Sequence, residues 1–230
     1  MLVNGTALVT GGTGGLGVAV TRRLLGDGWR VVVPWIAEAE LERLEPAEGL
    51  ELVRADLFEA ADARRCAEQA AGATWAPLRA VVNLVGGFAV GERVAETPVE
   101  DFEQQLRLNL RPTYLVSQAA VPHLIEAGGG AIVCMSSRAA LHPFPGAAGY
   151  VTSKAAVLGL VGALDAEYSR RGVRVNAVLP SMIDTPANRA SQPEADRSRW
   201  VSPERIAKVI AFLCGDDSGV VSGAHVPVYG

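Results

Sequence analysis

Seven short runs rich in β-branched residues alternate along the chain with longer helical patterns, and this alternation restricts the fold more than any other feature. The runs lie at residues 6–10, 30–33, 51–55, 79–85, 131–137, 173–179 and 224–228. The helical patterns lie near 15–28, 37–46, 58–71, 98–127, 149–171 and 203–214. Most runs are continuously apolar, as strands covered on both faces should be. The pattern predicts an α/β fold, a doubly wound sheet of seven parallel strands with helices on both faces.

Length, charge and cysteine usage exclude several classes of protein. The 230 residues suit one α/β domain, and we expect residues 1–230 to form a single unit because no repeat or linker is found. A net charge of −4 gives no basic field for nucleic acid or an anionic membrane. No apolar run is long enough to span a bilayer, and the N-terminus has no secretory pattern. Three dispersed cysteines favour the cytoplasm, and no metal site is expected.

The first strand is followed by a glycine-rich turn, which reads VTGGTGGLG at residues 9–17. Thr10 and Gly11 end the strand, and Gly15 and Gly17 open the helix. Glycine permits positive φ and lets a ligand approach the backbone closely. The free N–H groups of a helix start hold a pyrophosphate well. After the first buried strand of an alternating chain, such a turn predicts a dinucleotide site.

Polar residues follow the other predicted strands at the same edge of the sheet. They are Asp56, Asn83 and Gly86, Ser136 and Ser137, and Pro180 and Ser181. Each alone is ordinary in a turn or a helix cap. Together they form a row along the edge where parallel sheets bind ligands, which favours a functional interpretation.

Tyr150 and Lys154 are four residues apart in the stretch GYVTSK at 149–154. Residues at this spacing share one face of a helix. A nearby cation lowers the pKa of a phenol from about 10, so the pair has the chemistry of a proton donor. A half-buried tyrosine beside a solvated lysine is the alternative. The position of Tyr150 soon after Ser137, at the ligand edge, favours the functional pair.

In combination these residues resemble the short-chain dehydrogenases/reductases over nearly the whole chain. The resemblance is carried by Thr10-Gly11-x-x-x-Gly15-x-Gly17, Asn83-x-x-Gly86, Asn109, Ser137 and Tyr150-x-x-x-Lys154. It implies a Rossmann-type fold, a nicotinamide dinucleotide, and hydride exchange between a carbonyl and an alcohol. By this resemblance Tyr150 exchanges the substrate proton, and Lys154 lowers the phenol pKa and holds the nicotinamide ribose. Ser137 binds the substrate oxygen, and Asn109 positions a water.

The resemblance also implies cofactor contacts along the whole edge of the sheet. The residues are Gly11, Thr13, Gly14, Gly15, Leu16, Gly17, Trp35, Asp56, Leu57, Asn83, Gly86, Tyr150, Lys154, Pro180, Ile183 and Thr185. NAD-using members carry an acid where Trp35 stands, and NADP-using members often have arginine at the position of Ile36 or a basic residue at that of Gly14. Neither selector is present, so NADP and NAD both stay open. Because no carboxylate is there to repel a 2′-phosphate, NADP is very slightly preferred.

Residues from about 182 to 202 follow the sixth strand, where the family has its substrate lid. The substrate expected from the resemblance is a small carbonyl compound or alcohol, such as a ketone or a 3-oxoacyl compound. A substrate on acyl carrier protein would favour a basic patch, and the candidates are Arg138, Arg189, Arg197 and Arg199.

Two alternatives stay open. The lid and Gly86-Gly87-Phe88 are similar to quinoid dihydropteridine reductase, which makes a pteridine one alternative, although that enzyme lacks the serine. A non-catalytic dinucleotide-binding sensor or scaffold is the other, although such a protein would be expected to lose Ser137, Tyr150 or Lys154.

The helix that follows Tyr150 has no charged residue between Ala155 and Leu164. A helix that covers a sheet needs only one apolar stripe, so its outer side is normally polar. Small outward residues at Ala156, Gly159 and Ala163 suit close approach of a second copy. Family members pair through this helix and the one at 98–127, for which the candidates are Leu106, Leu110, Leu115 and Val116. A homo-oligomer is expected, at least a dimer, with a tetramer slightly preferred.

Overall fold

A computed structural model describes residues 4–230. The first three residues of the single domain expected at 1–230 lie outside the described residues. One parallel sheet with the strand order β3-β2-β1-β4-β5-β6-β7 runs through the described part of the chain. Its strands are β1 Thr6–Thr10, β2 Arg30–Trp35, β3 Leu50–Arg54, β4 Leu78–Asn83, β5 Gly130–Met135, β6 Val173–Pro180 and β7 His225–Val228. The α-helices are α1 Gly17–Gly26, α2 Ala60–Ala71, α3 Val99–Glu126, α4 Ala148–Tyr168, α5 Pro186–Ser191 and α6 Pro203–Cys214. The predicted α/β fold with seven parallel strands is confirmed.

The five inner strands of the sheet are buried on both faces, which explains why they are apolar at successive positions. Along β1, Leu8 belongs to the core cluster that contains residues of α2, α3 and α4. Its neighbours Ala7 and Val9 belong to the cluster formed with α1 and α6. Successive side chains of a strand point to opposite faces, so both faces require apolar residues. The two cores hold the carboxyl ends of the strands in a fixed row.

The strand order reverses between β1 and β4, and this reversal defines the ligand crevice. The chain proceeds from β1 to β2 and β3 on one side, then returns to β4 on the other side of β1. Thr10 Oγ1 at the end of β1 accepts a hydrogen bond from Leu84 N at 3.1 Å, just after β4. In doubly wound sheets, ligands bind outside the carboxyl ends at such a switch point.

Two segments differ from the sequence predictions. The predicted helix at 37–46 is a short 3-10 helix, Glu38–Arg43, because the backbone is extended on both sides, at Ala37 and at Leu44. Its turns close with i to i+3 bonds, such as Glu40 N to Ala37 O at 3.0 Å. Helix α5 was not predicted, because six residues inside the lid are too few for a periodic pattern.

Some predicted boundaries also shift by a few residues. Helix α4 ends at Tyr168 and continues as a 3-10 turn over Ser169–Arg171. The predicted cap of α6 is present, since Ser202 Oγ accepts from Arg205 N at 3.4 Å and Pro203 follows. Within residues 4–230, no helix combines the length and hydropathy needed to cross a bilayer.

Candidate active site

The turn between β1 and α1 requires glycine at two positions for different reasons. Gly11 has a φ of 64°, and a Cβ on Gly17 would overlap the carbonyl oxygen of Gly11. The backbone therefore folds tightly over the end of β1. A Cβ on Gly14 would meet only the Gly11 oxygen, at 3.3 Å, so the outer side of the turn is open to a ligand. An open turn at a helix start fits the pyrophosphate of a dinucleotide.

The lid, residues 182–202, reaches over this turn from the end of β6. Its base is closed by a parallel bridge between Ile183 and Val201, with Asp184 N bonded to Val201 O at 2.8 Å. Thr185 Oγ1 caps α5 by accepting from Asn188 N at 3.2 Å. A Cβ on Gly15 would lie 3.0 Å from Thr185 Cγ2, so the lid threonine packs directly against the glycine turn.

A cavity of about 570 Å³ opens at the carboxyl ends of β4, β5 and β6. Seven of the residues predicted from the sequence line it together: Leu16, Gly86, Ser137, Tyr150, Lys154, Pro180 and Ile183. The exposed wall is mostly apolar, and the hydroxyls of Ser137 and Tyr150 are among the polar groups that interrupt it. Ligand sites commonly combine an apolar wall with a few convergent polar groups.

Tyr150 lies in the third position of α4, partly buried by the aromatic ring of Phe88. The two ring centroids are 4.9 Å apart and the rings meet edge to face. Burial raises the pKa of the Tyr150 phenol, and a hydrogen bond from the Ser137 side chain opposes the rise. Burial outweighs this hydrogen bond, so the phenol pKa lies above its usual value in this structure, whereas the resemblance implies a pKa lowered by Lys154.

Lys154 is buried, with 5 % of its surface exposed, and its amine lies 5.9 Å from the centroid of the Tyr150 ring. The Nζ atom donates to the carbonyl oxygen of Met135 at 3.1 Å. Burial lowers the pKa of the amine to about 8. Ser136 Oγ donates to the Lys154 carbonyl at 2.8 Å, which ties α4 to the end of β5. Both serines line the cavity, but the Ser136 hydroxyl is buried and bonded to α4, whereas Ser137 is partly exposed and its Oγ accepts from Ala139 N at 3.1 Å.

Asn109 is fully buried in α3, beneath the loop that follows β4. Its Oδ1 accepts from Gly87 N at 3.0 Å, and its Nδ2 donates to Gln105 O at 3.2 Å. A Cβ on Gly86 would lie 2.5 Å from Asn109 Oδ1 and 3.1 Å from Lys154 Nζ. Asn109 therefore contacts the loop that adjoins Lys154, and glycine at position 86 is what permits this packing.

Several predicted cofactor residues direct their side chains into the protein. Asn83 Nδ2 donates to Ser117 Oγ at 3.1 Å, and the Leu57 side chain belongs to the core. Asp56 Oδ1 accepts from Phe58 N at 3.0 Å and so holds its own turn. Trp35 ends β2 and is partly exposed. These positions do not support side-chain contacts from Asn83 or Leu57 to a dinucleotide. A contact from either residue would use its backbone atoms.

The cavity also contains residues that sequence reasoning did not assign. Phe144 lies 6.4 Å from Phe88, measured between ring centroids, and Met182 comes from the lid. His142 stands at the exposed rim. Beside it is Arg138, one of the arginines proposed from the sequence, with its guanidinium 5.2 Å from the centroid of the Tyr229 ring. An aromatic residue in the loop after β4 was visible in the sequence, but its contact with Tyr150 depends on the fold of that loop.

A second depression, of about 500 Å³, lies at the opposite edge of the sheet. Its arginines are engaged with the protein: Arg79 donates to Ala127 O at 3.1 Å, and Arg174 donates to Leu213 O at 2.9 Å. The residues with acid–base chemistry that were identified from the sequence lie at the other edge. The cavity at Tyr150 is therefore the candidate active site.

The doubly wound sheet, the glycine turn and the cavity with its serine, tyrosine and lysine define an NAD(P)-dependent oxidoreductase. The family profile described as short chain dehydrogenase matches residues 5–196. The chain belongs to the short-chain dehydrogenase/reductase family, as the sequence resemblance implies.

Similar proteins agree with this assignment. The chain is 34% identical to 2-(R)-hydroxypropyl-CoM dehydrogenase of Xanthobacter autotrophicus, with 97% of this chain and 96% of that protein covered. It is 33% identical to (3R)-3-hydroxyacyl-CoA dehydrogenase of Rattus norvegicus, with 97% and 94% covered. The structure of 3-ketoacyl-(acyl-carrier-protein) reductase from Brucella melitensis complexed with NADH matches with a TM-score of 0.88 and 26% identity, covering 100% of this chain and 98% of that one.

Proposed function

We propose that the cavity interconverts a carbonyl compound and the corresponding alcohol, with Tyr150 as the acid–base group. The observation that carries the proposal is that Ser137 and Tyr150 line one largely apolar cavity beside the buried amine of Lys154. When bound, the nicotinamide supplies or accepts the hydride. Negative charge on the substrate oxygen is then stabilised by the hydroxyls of Ser137 and Tyr150, and the phenol delivers or removes the proton.

The remaining residues hold and orient the cofactor in this proposal. The glycine turn and the start of α1 bind the pyrophosphate, and Thr185 approaches the same turn from the lid. Lys154, when protonated, donates to the ribose hydroxyls and favours the phenolate of Tyr150. Asn109 fixes the loop through its hydrogen bond from Gly87 N, and the apolar wall excludes water from the reacting groups.

We favour an apolar acyl substrate that carries an anionic group. Phe88, Phe144 and Met182 give the cavity its apolar wall. Of the four candidate arginines, only Arg138 lines the cavity, and among residues 4–230 no acidic residue lines it. Arg189 is paired with Asp184, and Arg197 lies over the ring of Trp200. The names of the Rattus and Brucella proteins, a 3-hydroxyacyl-CoA dehydrogenase and a 3-ketoacyl carrier-protein reductase, also support an acyl substrate.

Steady-state kinetics with both cofactors test the proposal. Acetoacetyl-CoA is compared with a neutral acetoacetyl ester, simple ketones and a quinonoid dihydropterin. We expect turnover of the acyl compounds, and we expect Arg138→Ala to raise KM for acetoacetyl-CoA while leaving the neutral ester unchanged. Exclusive turnover of the dihydropterin would favour the pteridine alternative, and no turnover with a bound dinucleotide would favour a sensor.

We also propose that the chain forms a homodimer or homotetramer through α3 and α4. The outward side of α4 is exposed and made of small residues, Ala155, Gly159, Gly162 and Ala163. Tyr114 of α3 is 48 % exposed. Leu115 and Val116 were predicted for this surface, but both belong to the chain's own core. Their assignment to an exposed interface surface is wrong, because that side of α3 packs inside the subunit.

We propose a cytoplasmic location because the three cysteines are free thiols. Cys66, Cys134 and Cys214 are free and buried, and burial raises the pKa of Cys66 to about 11 and of the other two to about 12. Thiols of this kind are unreactive and need no oxidising compartment. Cell fractionation with an antibody to the chain tests this location.

A further inference from the structure

The 3-10 helix after β2 brings a carboxylate to the glycine turn. Thr13 Oγ1 donates to Glu40 Oε2 at 2.6 Å. Arg43 Nη1 donates to Glu40 Oε1 at 3.1 Å and to the Thr13 carbonyl oxygen at 3.3 Å. Thr13 is buried, while the Glu40 side chain is 36% exposed. The glutamate is therefore fixed by two contacts and still faces solvent beside the turn.

A dinucleotide bound at the glycine turn would extend its adenosine end towards the end of β2, the side of the turn on which Glu40 lies. In a doubly wound fold the pyrophosphate binds at the turn, and the ribose 2′-hydroxyl meets an acid near the end of the second strand. The residue at the end of β2 is Trp35, which has no acceptor for that hydroxyl. Glu40, five residues later, carries the missing carboxylate because the 3-10 helix turns the chain back towards Thr13.

We propose that Glu40 makes the protein select NAD over NADP. An ionised carboxylate has about four lone-pair sites, so Glu40 can accept from the 2′-hydroxyl while it holds Thr13 and Arg43. A 2′-phosphate at the same place would put two anions in contact, and such repulsion is an effective device for specificity. The inference takes only one point from the proposed function, which is that the cofactor is a nicotinamide dinucleotide. It replaces the very slight preference for NADP that the sequence suggested.

The charges around Glu40 agree with this selection. Residues 37–46 contain four glutamates and one arginine, Arg43. Arg43 is the one basic residue of this segment, and its guanidinium already donates to Glu40 and to the Thr13 carbonyl. Both contacts use Nη1, so a 2′-phosphate bound by the remaining donors of Arg43 would lie beside the ionised carboxylate of Glu40.

The test measures dissociation constants of NADH and NADPH by fluorescence, without any substrate. We expect the unmodified protein to bind NADH about tenfold tighter than NADPH, since a hydrogen bond to a charged group contributes on this scale. Glu40→Gln should reduce the ratio at least about fivefold, chiefly by improving NADPH binding. Glu42→Gln is the matched control, because Glu42 is an exposed glutamate on the same 3-10 helix, and it should leave the ratio nearly unchanged. Circular dichroism confirms that each variant is folded.

Two results would overturn the inference. One is an unmodified protein that binds NADPH as tightly as NADH, and the other is a ratio that Glu40→Gln leaves unchanged. Arg43→Ala tests the opposite assignment, in which Arg43 binds a 2′-phosphate and favours NADP. In that case the variant would lose NADPH affinity and keep NADH affinity. Binding is measured without turnover, so an inactive protein with a Glu40-dependent preference would contradict the proposed function and support this inference.

Discussion

The amine of Lys154 lies 5.9 Å from the centroid of the Tyr150 ring, one turn further along α4. The same amine donates to the carbonyl oxygen of Met135 at 3.1 Å, which holds it between α4 and the end of β5. Burial lowers its pKa from 10.5 to about 8, and burial raises the pKa of the phenol. The proposed chemistry depends on the positive charge of the Lys154 amine. This amine loses its proton only slightly above neutral pH.

The depressed pKa of Lys154 predicts that the contribution of this residue to the free energy of unfolding rises with pH, while the raised pKa values of the three buried cysteines act in the opposite direction. Between the folded value of about 8 and the unfolded value of 10.5, the unfolded chain binds the extra proton, so increasing pH favours the folded state. From pH 7.5 to 9.5 this group contributes a rise of about 2 kcal/mol. Lys154→Met should lack that contribution. Urea denaturation of both proteins across this range checks it, and parallel curves would contradict the buried, titrating amine.

Gly86→Ala should lower activity more than stability. The new Cβ would lie 2.5 Å from Asn109 Oδ1 and 3.1 Å from Lys154 Nζ, so both groups must shift. A displacement of catalytic groups by about 1 Å costs on the order of a hundredfold in kcat. Gly91→Ala in the same loop is the control, because a Cβ there meets nothing within 4 Å. Equal kcat in the two variants would show that the contact at position 86 is unimportant.

Substitution of Ser136 should affect mainly stability, and substitution of Ser137 should affect mainly catalysis. Ser136 Oγ is buried and donates to the Lys154 carbonyl at 2.8 Å, so Ser136→Ala should reduce the free energy of unfolding by about 1–3 kcal/mol. Ser137→Ala removes only a part-buried cap of a three-residue 3-10 turn, so it should cost about 0.5–1 kcal/mol of stability. It should lower kcat by about 10²–10³-fold, as loss of one oxyanion donor does. Thermal unfolding and steady-state kinetics on both variants check the assignment. The reverse pattern would exchange the roles of the two serines.

Gly159→Glu should dissociate the proposed oligomer. Position 159 is on the exposed side of α4, and a Cβ there meets nothing within 4 Å in the subunit, so the fold itself tolerates a side chain. A charge buried in an interface without a partner is strongly unfavourable. Analytical ultracentrifugation should show a dimer or tetramer for the unmodified protein and for the control Gly159→Ala, and a monomer for Gly159→Glu. A monomeric unmodified protein at micromolar concentration would rule out the interface.

The sequence predicted the fold well because a buried strand can be recognised from the apolar residues of its own short segment. Continuous apolar runs mark strands that are covered on both faces, and all seven were located. The glycine turn and the spacing of Tyr150 and Lys154 were equally readable, since each depends on neighbours within one turn or loop. Helix α5 and the 3-10 helix at Glu38–Arg43 were not, because segments this short have no helical periodicity.

Relations between distant segments could not be predicted from spacing. The contact of Glu40 with Thr13 depends on how far the chain turns back after β2. The direction of the Asn83 side chain, towards Ser117, depends on which face of β4 it occupies. The raised pKa of Tyr150 depends on Phe88, whose position is set by a loop without regular structure.

The central claim is that the phenol of Tyr150 exchanges the substrate proton, and Tyr150→Phe tests it most directly. The variant keeps the ring that packs against Phe88 and loses only the hydroxyl, so fold and NADH binding should be retained. With a substrate identified by the kinetic screen, kcat should fall by about 10²–10⁴-fold, the usual contribution of a positioned acid–base group. A kcat near that of the unmodified protein, in a variant that still binds NADH, would contradict the assignment of Tyr150.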